Sequence, residues 1–126
     1  MKYYFAALLS RQAEMRCCRR EIELLDHSVT SSWVNVNLSS FGESADATRA
    51  AIAGESLDEI RSADVIILFA EPRGSANIGG GRHFEAGLGL GLGKKVVVIG
   101  HREHVYCCVP GVDFYNSWDE FLESIR

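Results

Sequence analysis

The segment from Gly79 to Lys94 reads GGGRHFEAGLGLGLGK and lies between two short apolar runs, Val65–Ala70 and Lys95–Gly100. Both runs are rich in β-branched residues and carry no polar alternation, the pattern of fully buried parallel strands. Parallel neighbours need a crossover of a dozen or more residues, usually helical. The spacing therefore predicts a helix over residues 81–93, although the glycine–leucine alternation from Gly87 to Gly93 has the period of a strand. Each interior glycine costs about 1 kcal/mol relative to alanine in a helix, so these glycines imply a backbone packed close against the sheet. The helix opens at a triple glycine, where free N–H groups and the helix dipole favour an anionic group. Glu85 falls in or just after the first turn, where an ionised carboxylate gains about 0.3–1 kcal/mol. The expectation is a carboxylate kept charged at neutral pH.

Composition bounds the rest. At 126 residues, 47% hydrophobic and with two prolines, the chain is long enough for one core and has none of the bias of disorder. One domain spanning residues 1–126 is expected. The net charge of −4 and scattered basic residues argue against a polymeric nucleic-acid partner. Arg16, Arg19 and Arg20 read as the solvated side of a helix. No apolar run approaches a membrane span, and Met1-Lys2 leads straight into a strand, so a cytoplasmic protein with no membrane partner is expected. Cys17-Cys18 and Cys107-Cys108 lack metal-site or redox spacing and read as mostly buried thiols of a reducing compartment. No metal or cofactor is implied.

In chain order, Tyr3–Leu8 reads as a first strand, followed by a helix from Arg11 to about Asp26. Ser10 is its expected cap, and Ala13, Cys17, Leu24 and Leu25 its apolar face. His27–Val34 reads as a second strand and residues 35–44 as a loop. A helix from Asp46 to about Ser62 precedes the central strand. After the fourth strand, an irregular stretch over residues 101–111 leads to a short strand, Val112–Tyr115. A last helix follows, capped by Ser117 with Glu120 completing a capping box. This order predicts an α/β domain with an open, mostly parallel five-stranded sheet and helices on both faces, Rossmann- or flavodoxin-like. Ligands in such folds bind beyond the carboxyl ends of the strands. That rule selects residues 7–11, 31–33, 70–85 and 101–106.

On these residues the chain resembles the nucleoside 2-deoxyribosyltransferase-like superfamily. The likeness rests on Tyr4-Phe5-Ala6-Ala7 followed by Ser10-Arg11, on Asp58-Glu59-Ile60-Arg61-Ser62-Ala63-Asp64-Val65, and on Gly-Gly-Arg-His-Phe-Glu85-Ala-Gly running to Gly93-Lys94. It covers nearly the whole chain. The resemblance implies that Glu85 is a nucleophile attacking C1′ of a nucleoside or nucleotide to form a covalent glycosyl-enzyme, and that Tyr4 hydrogen-bonds and orients it. Exchange with retention needs such a carboxylate on the sugar face opposite the leaving base.

The resemblance also carries substrate contacts onto Ala6, Gly79 and Gly81. The position eight before Asp64, acidic in the family and in contact with the base, is Ser56 here, with Glu55 and Asp58 nearby as substitutes. The position six before Glu85 is Gly79, with Ser75 and Asn77 close by. Arg82 and His83 flank the nucleophile and either receive a phosphate or lie in solvent; Arg11 has the same two readings. Trp33 either stacks on a base or covers the end of the sheet. Glu71 is the best placed second carboxylate or binds a backbone turn, and Asp64 has a structural role. The rival reading is a non-catalytic nucleotide-binding or sensing module. Related proteins complete their sites across a subunit contact, which implies a homodimer or higher homo-oligomer here, with residues 104–109 or the glycine-rich helix at the contact.

Overall fold

A computed structural model describes residues 1–37, 46–75 and 79–126. At its centre is β3, Val65–Phe69, buried at every residue. It pairs in parallel with β1 (Lys2–Ala6) in the register Tyr4↔Ile66, and with β4 (Lys95–Ile99) in the register Ile67↔Val97. Outside these lie β2 (Ser28–Val29) and β5 (Asp113–Tyr115), giving one all-parallel five-stranded sheet in the order β2-β1-β3-β4-β5. Four α-helices are described: α1 (Gln12–Leu24), α2 (Asp46–Ser62), α3 (Gly81–Gly91) and α4 (Trp118–Ile125). This is the flavodoxin-like α/β architecture that the sequence predicts.

Strand alternation divides the core between two faces. On one, Phe5 and Phe69 pack against Trp118 of α4, whose indole N–H donates to Glu21 of α1 at 3.1 Å. On the other, α3 lies over β1 and β3 and touches α2. Here α3 approaches the sheet through Gly89, where an added Cβ would stand 2.3 Å from Ile66 Cγ1. Close approach thus explains one glycine of the run. Gly87 and Gly91 have open space, while Gly93 takes φ +77° to end the helix.

The second strand is much shorter than the expected 27–34, because Ser31 and Trp33 satisfy the neighbouring backbone with side chains. Ser31 Oγ accepts from Phe5 N at 3.1 Å and Trp33 Nε1 donates to Phe5 O at 2.9 Å, so Ser32–Asn35 is free to coil into a 3-10 turn. The first helix also departs from its prediction. A 3-10 turn, Leu9–Arg11, precedes it, Arg11 occupies the N-cap and no side chain caps it, so Ser10 has no such role. Its buried face is Gln12, Met15, Cys18 and Ile22, not the face of Ala13, Cys17 and Leu24. The reason is a polar core position: Gln12 Nε2 donates to Trp33 O at 2.8 Å and Val36 O at 2.7 Å, rotating the helix so that the 32–35 turn docks on it. Of the four cysteines, Cys18 and Cys107 are buried, while Cys17 and Cys108 are exposed.

Other expectations hold. Asp64 Oδ2 accepts from Lys2 N at 2.8 Å, a structural role. Ser117 caps α4 by accepting from Glu120 N at 3.1 Å, and the Glu120 carboxylate returns to Asn116 N at 2.6 Å, one residue earlier than in a standard capping box. The loop expected from Asn35 to Ser44 lies outside the described residues from position 38 onward.

Candidate active site

β1 and the residues after it, Trp33, Ser56 of α2 and the start of α3 enclose a cavity of about 470 Å³, lined by Tyr4, residues 7–10, Trp33, Ser56, Gly79, Gly81, Arg82 and Glu85. Its position follows from the topology: in the order β2-β1-β3-β4-β5 the connections leaving β1 and β3 run to opposite sides, which opens a crevice between those strands. Glu85 is the fifth residue of α3 and Tyr4 the third of β1. The fully buried Tyr4 donates its hydroxyl proton to Glu85 Oε2, and the Ser56 hydroxyl bonds the Tyr4 oxygen in turn.

The helix dipole does not decide the charge state of Glu85. Burial pushes its pKa up to about 7, the Tyr4 hydrogen bond works in the opposite direction, and the nearby Glu59 carboxylate adds to the rise. The expected permanently ionised carboxylate is therefore a titrating one. Burial, followed by the charge of Glu85, pushes the Tyr4 hydroxyl far up, so Tyr4 acts as a proton donor in a hydrogen bond and not as an acid.

The three cations expected near a phosphate all have protein partners. Arg82 is 4% exposed. It grips Glu103 with both terminal nitrogens, one bond at 2.7 Å, and donates to Phe69 O at 3.3 Å. This overturns the solvent-exposed reading of Arg82: the side chain is a buried pin between α3 and the segment after β4. Burial pushes the Glu103 carboxyl up, but the hydrogen bonds and charge of Arg82 outweigh it, and the net direction is down. His83 turns away from Glu85, with its Nδ1 3.0 Å from His104 Nε2; burial, then the charge of Arg82, lowers its pKa. Arg11 bonds Glu14, Ala70 O and Glu71.

Glu71 pairs with Arg11 at 3.0 Å and lines a separate cavity with His101, so it is not a second carboxylate for the Glu85 cavity. The carboxylate whose charge acts on both Glu85 and Tyr4 is Glu59, which lies outside the cavity lining. Asp58 cannot substitute for the missing acid. It lies on the outer side of α2, paired with Arg61 at 3.3 Å, because two residues on from Ser56 is the opposite side of a helix whereas three on is the same side. Glu55 binds the Ser32 hydroxyl at 3.2 Å and lines an adjoining cavity that shares Trp33 and Ser56 with the first.

Ala6 is fully buried and its neighbour Ala7 lines the cavity instead. Ser75 is exposed and outside the lining, and Asn77 falls outside the described residues. Leu8, Leu9 and Ser10, from the 7–11 stretch that the strand-end rule selects, add a wall. Among the described residues no cluster of three or more His, Cys, Asp or Glu is arranged to hold a metal.

The fold and its crevice define an open, doubly wound α/β domain with a carboxylate–tyrosine pair at the strand ends. Solved structures with this fold include a 2-deoxyribosyltransferase from Bacillus psychrosaccharolyticus. It is 18% identical over 97% of this chain and 90% of that one, with a TM-score of 0.75. A 2-deoxyribosyltransferase from Leishmania mexicana is 18% identical, covering 98% and 96% of the two chains at a TM-score of 0.70. A CMP N-glycosidase from Clostridium botulinum is 16% identical, covering 99% and 98% at a TM-score of 0.65. The chain is thus similar in fold to members of the group its sequence resembles. No family model and no curated protein matches the sequence.

Proposed function

We propose that the protein is an enzyme that cleaves or exchanges the N-glycosidic bond of a nucleoside or nucleoside 5′-monophosphate, with Glu85 as the nucleophile. The observation that carries this reading is the Tyr4–Glu85 hydrogen bond at the base of the cavity. Glu85 attacks C1′ and forms a glycosyl ester while the base leaves from the other face. Tyr4 holds the carboxylate in line and favours its charged form. Its anionic partner also stabilises the positive, oxocarbenium-like transition state. A pKa of about 7 suits the second half-reaction, in which Glu85 is released as the acceptor loses a proton. Water as acceptor makes the enzyme a hydrolase, and a second base makes it a transferase.

The test is incubation with a panel of nucleosides and nucleotides, with and without an added base, and chromatography of the products. Free base or a new nucleoside is expected, and a 2-fluoro sugar should leave an adduct on Glu85 detectable by mass spectrometry. The neutral Ser56 in place of an acid favours the second reading, a nucleotide-binding module without catalysis. Ligand binding with no base released from any substrate would select it.

The assembly we infer is a homodimer or higher homo-oligomer. Val105 and Tyr106 are 75% and 71% exposed, and Phe84 of the glycine-rich helix is 64% exposed, an apolar surface suited to burial against another copy. Sedimentation at micromolar concentration tests this, and an active monomer would refute it. Exposed free Cys17 and Cys108 fit a reducing compartment such as the cytoplasm. None of the described helices is long and apolar enough to cross a membrane.

A further inference from the structure

Carboxylates outnumber cations around the Glu85 cavity. Glu85 and Glu59 interact with each other, and Glu55 lines the adjoining cavity that shares Ser56 and Trp33 with this one. The one cation in the described lining, Arg82, is neutralised by Glu103. With Arg82 paired to Glu103, the carboxylates leave this cavity with an excess of negative charge, in which a positively charged ligand finds its complement.

The hydrogen-bond donors of the cavity point to the same ligand. A neutral purine or pyrimidine leaves a sugar readily only when a proton reaches it, and a placed general acid is worth about 10²–10⁴-fold. Among the described lining residues the Tyr4 proton is committed to Glu85 and the Trp33 N–H to Phe5 O. Ser56 bonds the Tyr4 oxygen, and Ser10 offers an alcohol, which is no acid at neutral pH. Glu59 accepts from Ser32 N at 3.2 Å and lies outside the lining. Around these polar groups are Leu8, Leu9 and the indole of Trp33, a wall for a flat ring and, in the case of Trp33, for a cationic one.

We infer that the substrate of this site is an N-glycoside whose base is already a cation, a pyridinium-type nucleoside, which departs as a neutral molecule without a proton from the protein. The inference rests on the N-glycoside reading above and narrows it. A Glu85 carboxylate oxygen bonds to C1′ as the C1′–N bond breaks, and the bonding pair stays on the ring nitrogen, turning pyridinium into neutral pyridine. Water then bonds to C1′, the ester oxygen returns to Glu85, and the surplus proton passes through the carboxyl to solvent. The sum is cationic nucleoside plus water to neutral base, free sugar and one proton.

The experiment measures base release by chromatography from nicotinamide riboside, and separately from cytidine, uridine, adenosine, inosine, their 2′-deoxy forms and their 5′-monophosphates. The expected kcat/KM for nicotinamide riboside exceeds that for every neutral-base substrate by at least about 100-fold, the worth of the missing acid. A neutral-base substrate cleaved as well as the cation overturns this inference and leaves the N-glycosidase reading standing; release from no substrate overturns both. Ser56→Asp supplies an acid beside Tyr4 and should narrow the ratio at least about tenfold in favour of neutral bases. A ratio that stays put or widens in that variant also refutes the assignment.

Discussion

The two faces of the sheet are made by the same strands and carry opposite loads. On the α1/α4 face, Tyr3, Phe5, Phe69, Tyr115, Trp118 and Phe121 form a continuous aromatic cluster, with successive ring centroids 5.4–5.9 Å apart. On the α2/α3 face, Tyr4 reaches a partly buried carboxylate, and the helix above is thinned to glycine to come close. Tyr3 and Tyr4 are neighbours in sequence, yet the first meets His27 and Phe121 and the second meets Glu85. One face accumulates stability through aromatic burial. The other spends part of it on keeping a carboxylate away from water, as functional sites commonly do.

The largest test of that division is Glu85→Gln. Base release should fall by about 10⁴-fold or more, as when other enzymes lose a nucleophile. Stability should move the other way. A carboxyl whose folded-state pKa is raised from 4.5 to about 7 contributes fully below pH 4.5, and that contribution is lost as pH rises through 7. Glu85→Gln removes the loss, so the variant should be the more stable above pH 7, by up to roughly 3 kcal/mol. Equal urea midpoints for the two proteins at pH 8 would show that Glu85 is not held against its preference.

The converse substitution is Phe121→Ala on the aromatic face. It should cost about 3–5 kcal/mol in urea denaturation, while the folded fraction keeps its rate. A rate that falls as far as Glu85→Gln would erase the distinction between the faces.

The adjacent tyrosines sharpen it. Tyr4→Phe should slow base release by about 10–100-fold, equivalent to the 1.5–3 kcal/mol of one hydrogen bond to a charged group. Tyr3→Phe should leave the rate where it was. Equal activities would reduce Tyr4 to a core residue.

The smallest effect is a displacement on the pH axis. kcat/KM should rise with pH through about 7 as Glu85 ionises, and in Tyr4→Phe the rising limb should move higher, because the bond that favours the charged form is gone. A flat profile between pH 5 and 8 contradicts the titrating nucleophile.

How much of this was written in the sequence depended on whether a neighbour in the chain or across the fold decides the outcome. The strands around Val65–Phe69 and the crossover at Gly81–Gly91 are set by local pattern and length, and they were legible. The Tyr4–Glu85 hydrogen bond was legible through the resemblance, and the packing of α3 over β1 brings the two side chains together. The burial of Arg82 was not legible because its partner, Glu103, lies 21 residues away and no local pattern marks such a pair. The first helix was rotated for a similar reason, since a glutamine took a core position to bind the 32–35 turn. Glu59 could have been found from spacing alone, standing one helical turn beyond Ser56.

The short second strand has a bearing on the life of the protein at high concentration. A sheet ends in an open row of amide and carbonyl groups, which other chains can use as a template for further strands. Here β2 offers only Ser28–Val29 as such a row. Beyond it, the Phe5 amide and carbonyl are already taken by the side chains of Ser31 and Trp33. The border of the sheet beside the Glu85 crevice is therefore sealed by side chains, and a stray strand cannot extend it toward that cavity.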